Sequence, residues 1–315
     1  MNGCHSNTKT YKLNTGASIP AVGLGTWKST EEECYNAVKI ALQNGYFHID
    51  TARIYGNEES VGKAINDYLT ESGTPREKLF ITTKLWCSEC QEPEKSLKES
   101  LARLNLDYVD LYLTHWPVAI PPGGELMPLD ADGARISIPF DEWNYVDTYK
   151  GMQKLIKTGL TKAIGVSNYN IPKLEKLLND PGVTIVPAAN QVEMHPLLPQ
   201  NDLVKYCKEK GIMVECYSPL GSTGAPVLQN ETLLKHAQEA DVSPATLAIS
   251  WSVARGNVVL PKSVHPGRII SNIKTIDLSP TVVEELEAIG EKNPHRVGNP
   301  KWAIKINLFE DSAEY

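Results

Sequence analysis

The chain has 315 residues, 41% of them hydrophobic and 22% charged. That composition excludes a disordered chain, a fibrous repeat and a small disulfide scaffold. With 31 Lys and Arg against 38 Asp and Glu, the formal charge is −7, which argues against a general nucleic-acid surface.

Short β-branched runs alternate with amphipathic helical stretches along the whole chain. Tyr11–Ile19 alternates around a Thr-Gly turn and reads as a hairpin capping a barrel floor. The first strand run is Ile19–Gly25. Its helix is expected from Thr30 to Gln43, with Ser29 or Thr30 as cap and Glu31, Glu32 and Glu33 in the first turn. Tyr46–Asp50 is followed by a helix over Glu58–Thr70, and Leu79–Lys84 by one over Pro93–Leu104, where Pro93 suits a first turn. Val109–His115 is the fourth strand, but its helix is delayed to Trp143–Thr158.

The pattern then resumes. Strands are expected at Thr161–Val166, Ala189–Glu193, Ile212–Tyr217 and Asn257–Pro261. Helices follow at Ile171–Leu178, Gln200–Glu209, Glu231–Ala240, Pro244–Ala254, His265–Ile273 and Pro280–Glu291. Eight β-then-α units predict parallel strands in one α/β domain over 1–315, a (β/α)8 TIM barrel with an N-terminal β-hairpin cap. A Rossmann sheet would need a third glycine after Gly23 and Gly25, and Lys28 stands there. The insertion Pro117–Asp141 and the tail after Asn293 are long loops expected at the C-terminal face, where barrels keep their active sites.

Polar residues recur at the carboxyl ends of these strands. Asp50, Lys84 and His115 end the second, third and fourth, with Tyr55 in the loop leaving the second. Ser167 and Asn168 follow the fifth, Gln191 lies on the sixth, Tyr217 and Ser218 end the seventh, and Lys262 ends the eighth. A phenol's reference pKa near 10 is too high for easy proton exchange at neutral pH. An ammonium beside it is expected to lower that value, and a carboxylate to keep the ammonium charged. A histidine can orient a substrate oxygen. The set reads as a proton donor beside a carbonyl. A partner supplying hydride is then needed. Val242–Ile276 holds Arg255, Lys262, Arg268 and Lys274 without a single acid, and Arg268 opens a helix, as a phosphate site requires.

No cluster of metal ligands is evident, so no metal is expected, and a metal-dependent barrel hydrolase lacks its His-x-His or clustered acids. No apolar run of about 18 residues appears, so no membrane span is expected. The start carries no signal-peptide pattern, and six scattered cysteines suggest reduced thiols in the cytoplasm. The lone Cys87-Ser88-Glu89-Cys90 is a weak redox signal.

Together these residues resemble the aldo-keto reductase family over nearly the full length. Gly45–Glu58, containing His48-Ile49-Asp50-Thr51-Ala52-Arg53-Ile54-Tyr55, resembles the family's first signature. Gly165-Val166-Ser167-Asn168 and Asn190-Gln191-Val192-Glu193 resemble its middle motifs, and Pro261-Lys262-Ser263-Val264 with Arg268 and Asn272 its cofactor-phosphate motif. Glu142-Trp143-Asn144, Cys207–Gly211 and Lys301-Trp302 look closest to fungal members, the NADP-dependent glycerol dehydrogenase and aldehyde or ketone reductase group.

The resemblance implies NADPH-dependent, reversible reduction of small-molecule aldehydes and ketones. Tyr55 would be the general acid, tuned by Lys84 and Asp50, with His115 orienting the substrate. Tyr217 would stack under nicotinamide, while Ser167, Asn168 and Gln191 bind its carboxamide. Gly25, Thr26, Trp27, Asp50 and Ser218 would also line the cofactor, and Leu220, Gly221 and Ser222 the pyrophosphate. Lys262, Ser263, Val264 and Arg268 would hold the 2′-phosphate, and Asn272 the adenine. Ser271 departs from the family's usual Glu before that Asn. Trp27, Trp86, Trp116 and Trp302 would line the substrate cleft, and Arg53 either assists acidic substrates or is solvated. The family is often monomeric. Its channel-associated members leave a second reading open, a cofactor-sensing subunit of a larger complex.

Overall fold

The computed structural model describes residues 3–304, 308–310 and 313. Eight parallel strands are hydrogen-bonded in sequence order: β1 (Leu24–Gly25), β2 (His48–Asp50), β3 (Phe80–Leu85), β4 (Leu111–Thr114), β5 (Ile164–Ser167), β6 (Ala189–Glu193), β7 (Met213–Tyr217) and β8 (Val258–Leu260). Parallel bridges Val22 to Val259 and Gly25 to Lys262 join the last strand to the first, so the sheet closes into the expected barrel. A closed sheet leaves no edge to protect. All six residues of β3 are buried, because one face looks into the barrel and the other meets the helices.

Local chemistry sets the helix ends. Thr30 and Glu33 form a reciprocal capping box that starts α1 (Glu31–Gln43). After α2 (Glu58–Ser72), Pro93 occupies the first turn of α3 (Pro93–Leu104), where its missing N–H costs nothing. Asn144 and Asn170 cap α4 (Tyr145–Gln153) and α5 (Ile171–Asn179). Beyond α6 (Asn201–Glu209), Asn230, Ser243 and Ser279 cap α7 (Glu231–Glu239), α8 (Pro244–Ala254) and α10 (Pro280–Glu291). The seven-residue α9 (Pro266–Asn272) has no side-chain cap.

Two expectations need correction. The run Ile19–Gly25 is not one strand. Ser18–Pro20 pairs antiparallel with Thr10–Lys12, and the chain then turns to Leu24 to begin the barrel. Pro20 has no N–H to continue a ladder, and Ala21 instead bonds back to the Lys9 carbonyl. Likewise the helix expected over Trp143–Thr158 is α-helical only to Gln153 and tightens to 3-10 geometry over Lys154–Thr158.

The hairpin closes the amino end of the barrel. Leu13 and Ile19 pack with Phe80, Leu111, Ala163 and Val258, and Tyr11 Oη donates to the Val253 carbonyl. At Gly23 any Cβ would lie 2.7 Å from the His48 ring, so only glycine lets the chain enter β1 that close to the interior. The carboxyl ends of the strands face the opposite rim. There the 117–141 loop meets the tail: Arg135 N–H donates to the Lys301 carbonyl at 3.1 Å, and Ala303 N–H to the Arg135 carbonyl at 2.8 Å. Among the described residues no helix is long and apolar enough to cross a membrane.

Candidate active site

Asp50 ends β2, Lys84 lies one residue before the end of β3, and His115 follows β4. Tyr55 closes a 3-10 turn, Arg53–Tyr55, whose left-handed Gly56 returns the chain toward α2. Neighbouring parallel strands place these side chains side by side. Lys84 Nζ donates to Asp50 Oδ1 at 2.6 Å, to the Thr51 carbonyl at 3.0 Å and to Tyr55 Oη at 3.3 Å. Three acceptors satisfy all three ammonium protons of a side chain with no solvent exposure. The His115 ring meets the Tyr55 ring edge-on at 5.6 Å and the Trp86 ring at 5.3 Å.

The electrostatics differ from the sequence expectation at one point. Burial pushes the Tyr55 phenol up, Lys84 pulls it down and Asp50 pushes it up again, and the net displacement is upward. The phenol is therefore not acidified in the resting site. It stays protonated, because desolvation penalises a phenolate more than one ammonium already shared with Asp50 can stabilise it. Burial also pulls Lys84 down, but Asp50 and Tyr55 outweigh it and hold the ammonium charged. Burial, then the charges of Lys84 and Arg135, drive His115 well below its ordinary range, so the imidazole is neutral. Its Nδ1 is buried with no partner among the described residues.

A second layer lies beneath. Gln191 Nε2 donates to Asp50 Oδ2 and to Glu215 Oε2, both at 2.8 Å. Glu215 is fully buried, and burial followed by the Asp50 charge raises its carboxyl from 4.5 to about 7. Sequence reading missed Glu215. The period of two in a strand carried the signal, since Glu215 and Tyr217 share the inward face of β7.

Around the rim, Ser167 Oγ donates to the Gln191 carbonyl at 2.7 Å, and Asn168 Nδ2 to the His115 carbonyl at 2.9 Å and to Ser167 Oγ at 3.2 Å. Tyr217 Oη donates to Asn168 Oδ1 at 2.8 Å, which fixes the tyrosine ring across the barrel mouth. Asn168 (φ 67°) sits in the left-handed region that Asn tolerates. Beyond Tyr217, Ser218 (φ 50°), Gly221 (φ 84°) and Ser222 (φ 60°) give the loop containing Leu220 an irregular, turned backbone.

Lys262 and Arg268 are exposed, and among the described residues neither forms an ion pair. Lys262 Nζ donates to the Lys28 carbonyl at 3.0 Å. Ser263 and Asn272 are buried at the two ends of this segment, with Val264 half-buried between them. Gly25 ends β1 and Thr26 follows it, with Thr26 Oγ1 donating to the Asp50 carbonyl.

Of the four expected tryptophans, two meet each other and a third packs on His115. Trp116 meets Trp302 at 5.9 Å and Phe309 at 6.2 Å, while Trp86 stacks edge-on against His115. Trp27 stands 46% exposed with the Lys28 ammonium over its ring. Arg53 is partly exposed, and its Nε pairs with Glu89 at 3.1 Å. Cys87 and Cys90 are buried free thiols, and burial pushes Cys90 up to about 11, far from the range of reactive thiolates.

A sequence model described as the Aldo/keto reductase family matches residues 21–293. The chain is 52% identical to the glycerol 2-dehydrogenase (NADP(+)) of Saccharomyces cerevisiae, over 95% of this chain and 96% of that one. It is 49% identical to the aldehyde reductase YPR1 of the same yeast, over 94% and 96%. The solved aldose reductase of Schistosoma japonicum superposes with a TM-score of 0.83 at 37% identity, covering 91% of this chain and 94% of that one.

Proposed function

The chain belongs to the aldo/keto reductase family, and from that premise we propose that it reduces aldehydes and ketones to alcohols with NADPH, reversibly, at the Tyr55 site. One observation supports the chemistry most. A protonated phenol and a neutral imidazole face the same mouth, with a charged Lys84 behind the phenol.

NADPH would supply a hydride to the carbonyl carbon. The chain's own residues handle the oxygen. A neutral His115 offers an N–H to the carbonyl oxygen and sets its direction without adding charge. As negative charge builds on that oxygen, Tyr55 gives up its proton, because an alkoxide is a far stronger base than a phenolate. The phenolate left behind is stabilised by Lys84 Nζ at 3.3 Å, so the ammonium acts on the product side of the transfer. Asp50 keeps Lys84 in place and charged.

The donor set fits the cofactor. Two exposed cations without carboxylate partners among the described residues, Lys262 just past β8 and Arg268 in the first turn of α9, suit a 2′-phosphate, which supports NADPH over NADH. We assign Lys262, Ser263, Val264 and Arg268 to it, and Asn272 to the adenine. The positive-φ loop 218–222 suits a pyrophosphate. Tyr217 presents a ring held by Asn168 for stacking. Gln191 has both Nε2 contacts committed, so its Oε1 is the atom left to accept from a carboxamide. Trp86, Trp116 and Trp302 form the substrate walls, with Trp27 at the exposed rim.

We also infer a single-domain monomer working in the cytoplasm. The barrel closes within one chain, and the five buried free thiols suit a reducing compartment. The direct test is loss of NADPH absorbance with a panel of aliphatic and aromatic aldehydes. Turnover supports the reading, and no consumption with any of them overturns it.

A further inference from the structure

Arg135 is held by its backbone at the seam between the 117–141 loop and the tail. Its guanidinium lies 5.1 Å from the Trp302 ring centre, and its charge reaches both His115 and Cys87. It therefore overlooks the same aromatic mouth as the proton donor. It is half-buried, and among the described residues no acceptor or ion-pair partner faces it. Four other partly buried arginines differ: Arg53, Arg76, Arg103 and Arg255 pair with Glu89, Asp110, Glu58 and Glu287. Arg296 has no ion pair among the described residues, but its Nη2 donates to Gln200 Oε1 at 3.3 Å and its guanidinium lies over the Phe309 ring. In its own loop, Asp130 Oδ1 accepts from the Asp132 and Ala134 amides at 2.9 and 2.8 Å and forms no ion pair with Arg135. Beside it, Trp302 Nε1 is a buried donor without a partner among the described residues. The half-buried guanidinium keeps its nitrogens open to solvent at the mouth, where an incoming anion can reach them.

We propose that Arg135 determines specificity by receiving a carboxylate on the substrate, so that the site favours carbonyl compounds carrying one negative charge. The proposal rests on the carbonyl-reductase reading of this cleft. A single planar fork suits a carboxylate, which it can bind through two parallel N–H bonds. A doubly charged phosphate would call for a second cation, and the nearby Lys301 ammonium is exposed and donates to the Asp132 carbonyl. Arg53, by contrast, already has a carboxylate on its Nε, that of Glu89.

The test compares 4-carboxybenzaldehyde with benzaldehyde, using NADPH and the full chain. In Arg135→Met the ratio of kcat/KM, acid over neutral, should fall by about 10- to 100-fold, mostly through KM for the acid. Arg135→Lys, which keeps the charge but not the fork, should restore part of it. A ratio unmoved in Arg135→Met overturns the proposal and leaves the reductase reading standing. Failure of the wild-type chain to oxidise NADPH with either aldehyde overturns both. Should Arg135→Met not fold, benzoate and benzamide as inhibitors of the wild-type chain decide. Tighter inhibition by benzoate supports the proposal, and equal inhibition overturns it.

Discussion

Lys84 Nζ donates to Tyr55 Oη at 3.3 Å, yet the phenol titrates above its ordinary value rather than below it. In the proposed mechanism the ammonium would therefore stabilise the phenolate that proton transfer leaves behind, rather than ionise the phenol beforehand. A resting phenolate would be useless as a donor.

Tyr55→Phe removes that proton and little else. Turnover should fall by about 10²- to 10⁴-fold, the range for losing a general acid. NADPH affinity, read by quenching of protein fluorescence, should stay within about threefold. A variant that loses cofactor binding in step with turnover would place Tyr55 in the wrong role.

Lys84 and Asp50 form a buried pair at 2.6 Å. Lys84→Met strands the Asp50 carboxylate and should cost about 3–5 kcal/mol of stability by denaturant unfolding. Asp50→Asn with Lys84→Met should cost much less than the sum of the single variants, since neither charge is then left alone. Additive losses would show that the pair is not energetically coupled.

Glu215 gives a pH signature in stability. Its carboxyl is raised from 4.5 to about 7, so the folded state holds a proton that the unfolded state releases between those values. Its contribution therefore falls as pH rises through that window, by roughly 3–4 kcal/mol. Glu215→Gln should raise the melting temperature at pH 8 and change it little at pH 4. A variant no more stable at pH 8 than the wild type counts against the assignment. Tyr55, raised, and His115, lowered, both leave the neutral range free of titration by the donor pair.

Arg268→Ala should raise KM for NADPH by about 10- to 100-fold, as expected for a lost charge-assisted contact to phosphate, and leave KM for NADH within about twofold. Equal effects on the two cofactors would put the 2′-phosphate elsewhere.

Much of this was legible in the residues. Helices α3, α8 and α10 begin at prolines and end where expected, because caps and first-turn prolines are local chemistry. The recurrence of polar residues at strand ends brought Asp50, Lys84 and His115 to one rim, because parallel strands of a barrel all point the same way. Burial was not legible. Local neighbours gave Tyr55 an ammonium but not the desolvation that outweighs it. Glu215, Arg53 and Arg135 depended on contacts 24, 36 and 166 or more residues away, with Gln191, Glu89 and the tail. The split at Pro20 was written in the missing N–H, but the run of apolar residues around it hid the break.

The central claim is that hydride reaches the carbonyl carbon while Tyr55 supplies the proton to oxygen. It is tested most directly with NADPH carrying deuterium at the transferable position of nicotinamide C4 and benzaldehyde as substrate. Mass spectrometry and proton NMR of the benzyl alcohol should show one deuterium at the former carbonyl carbon. The same reaction with ordinary NADPH in D₂O should place none there. Carbon-bound deuterium arising from D₂O, or label from the cofactor lost to solvent, would contradict the account.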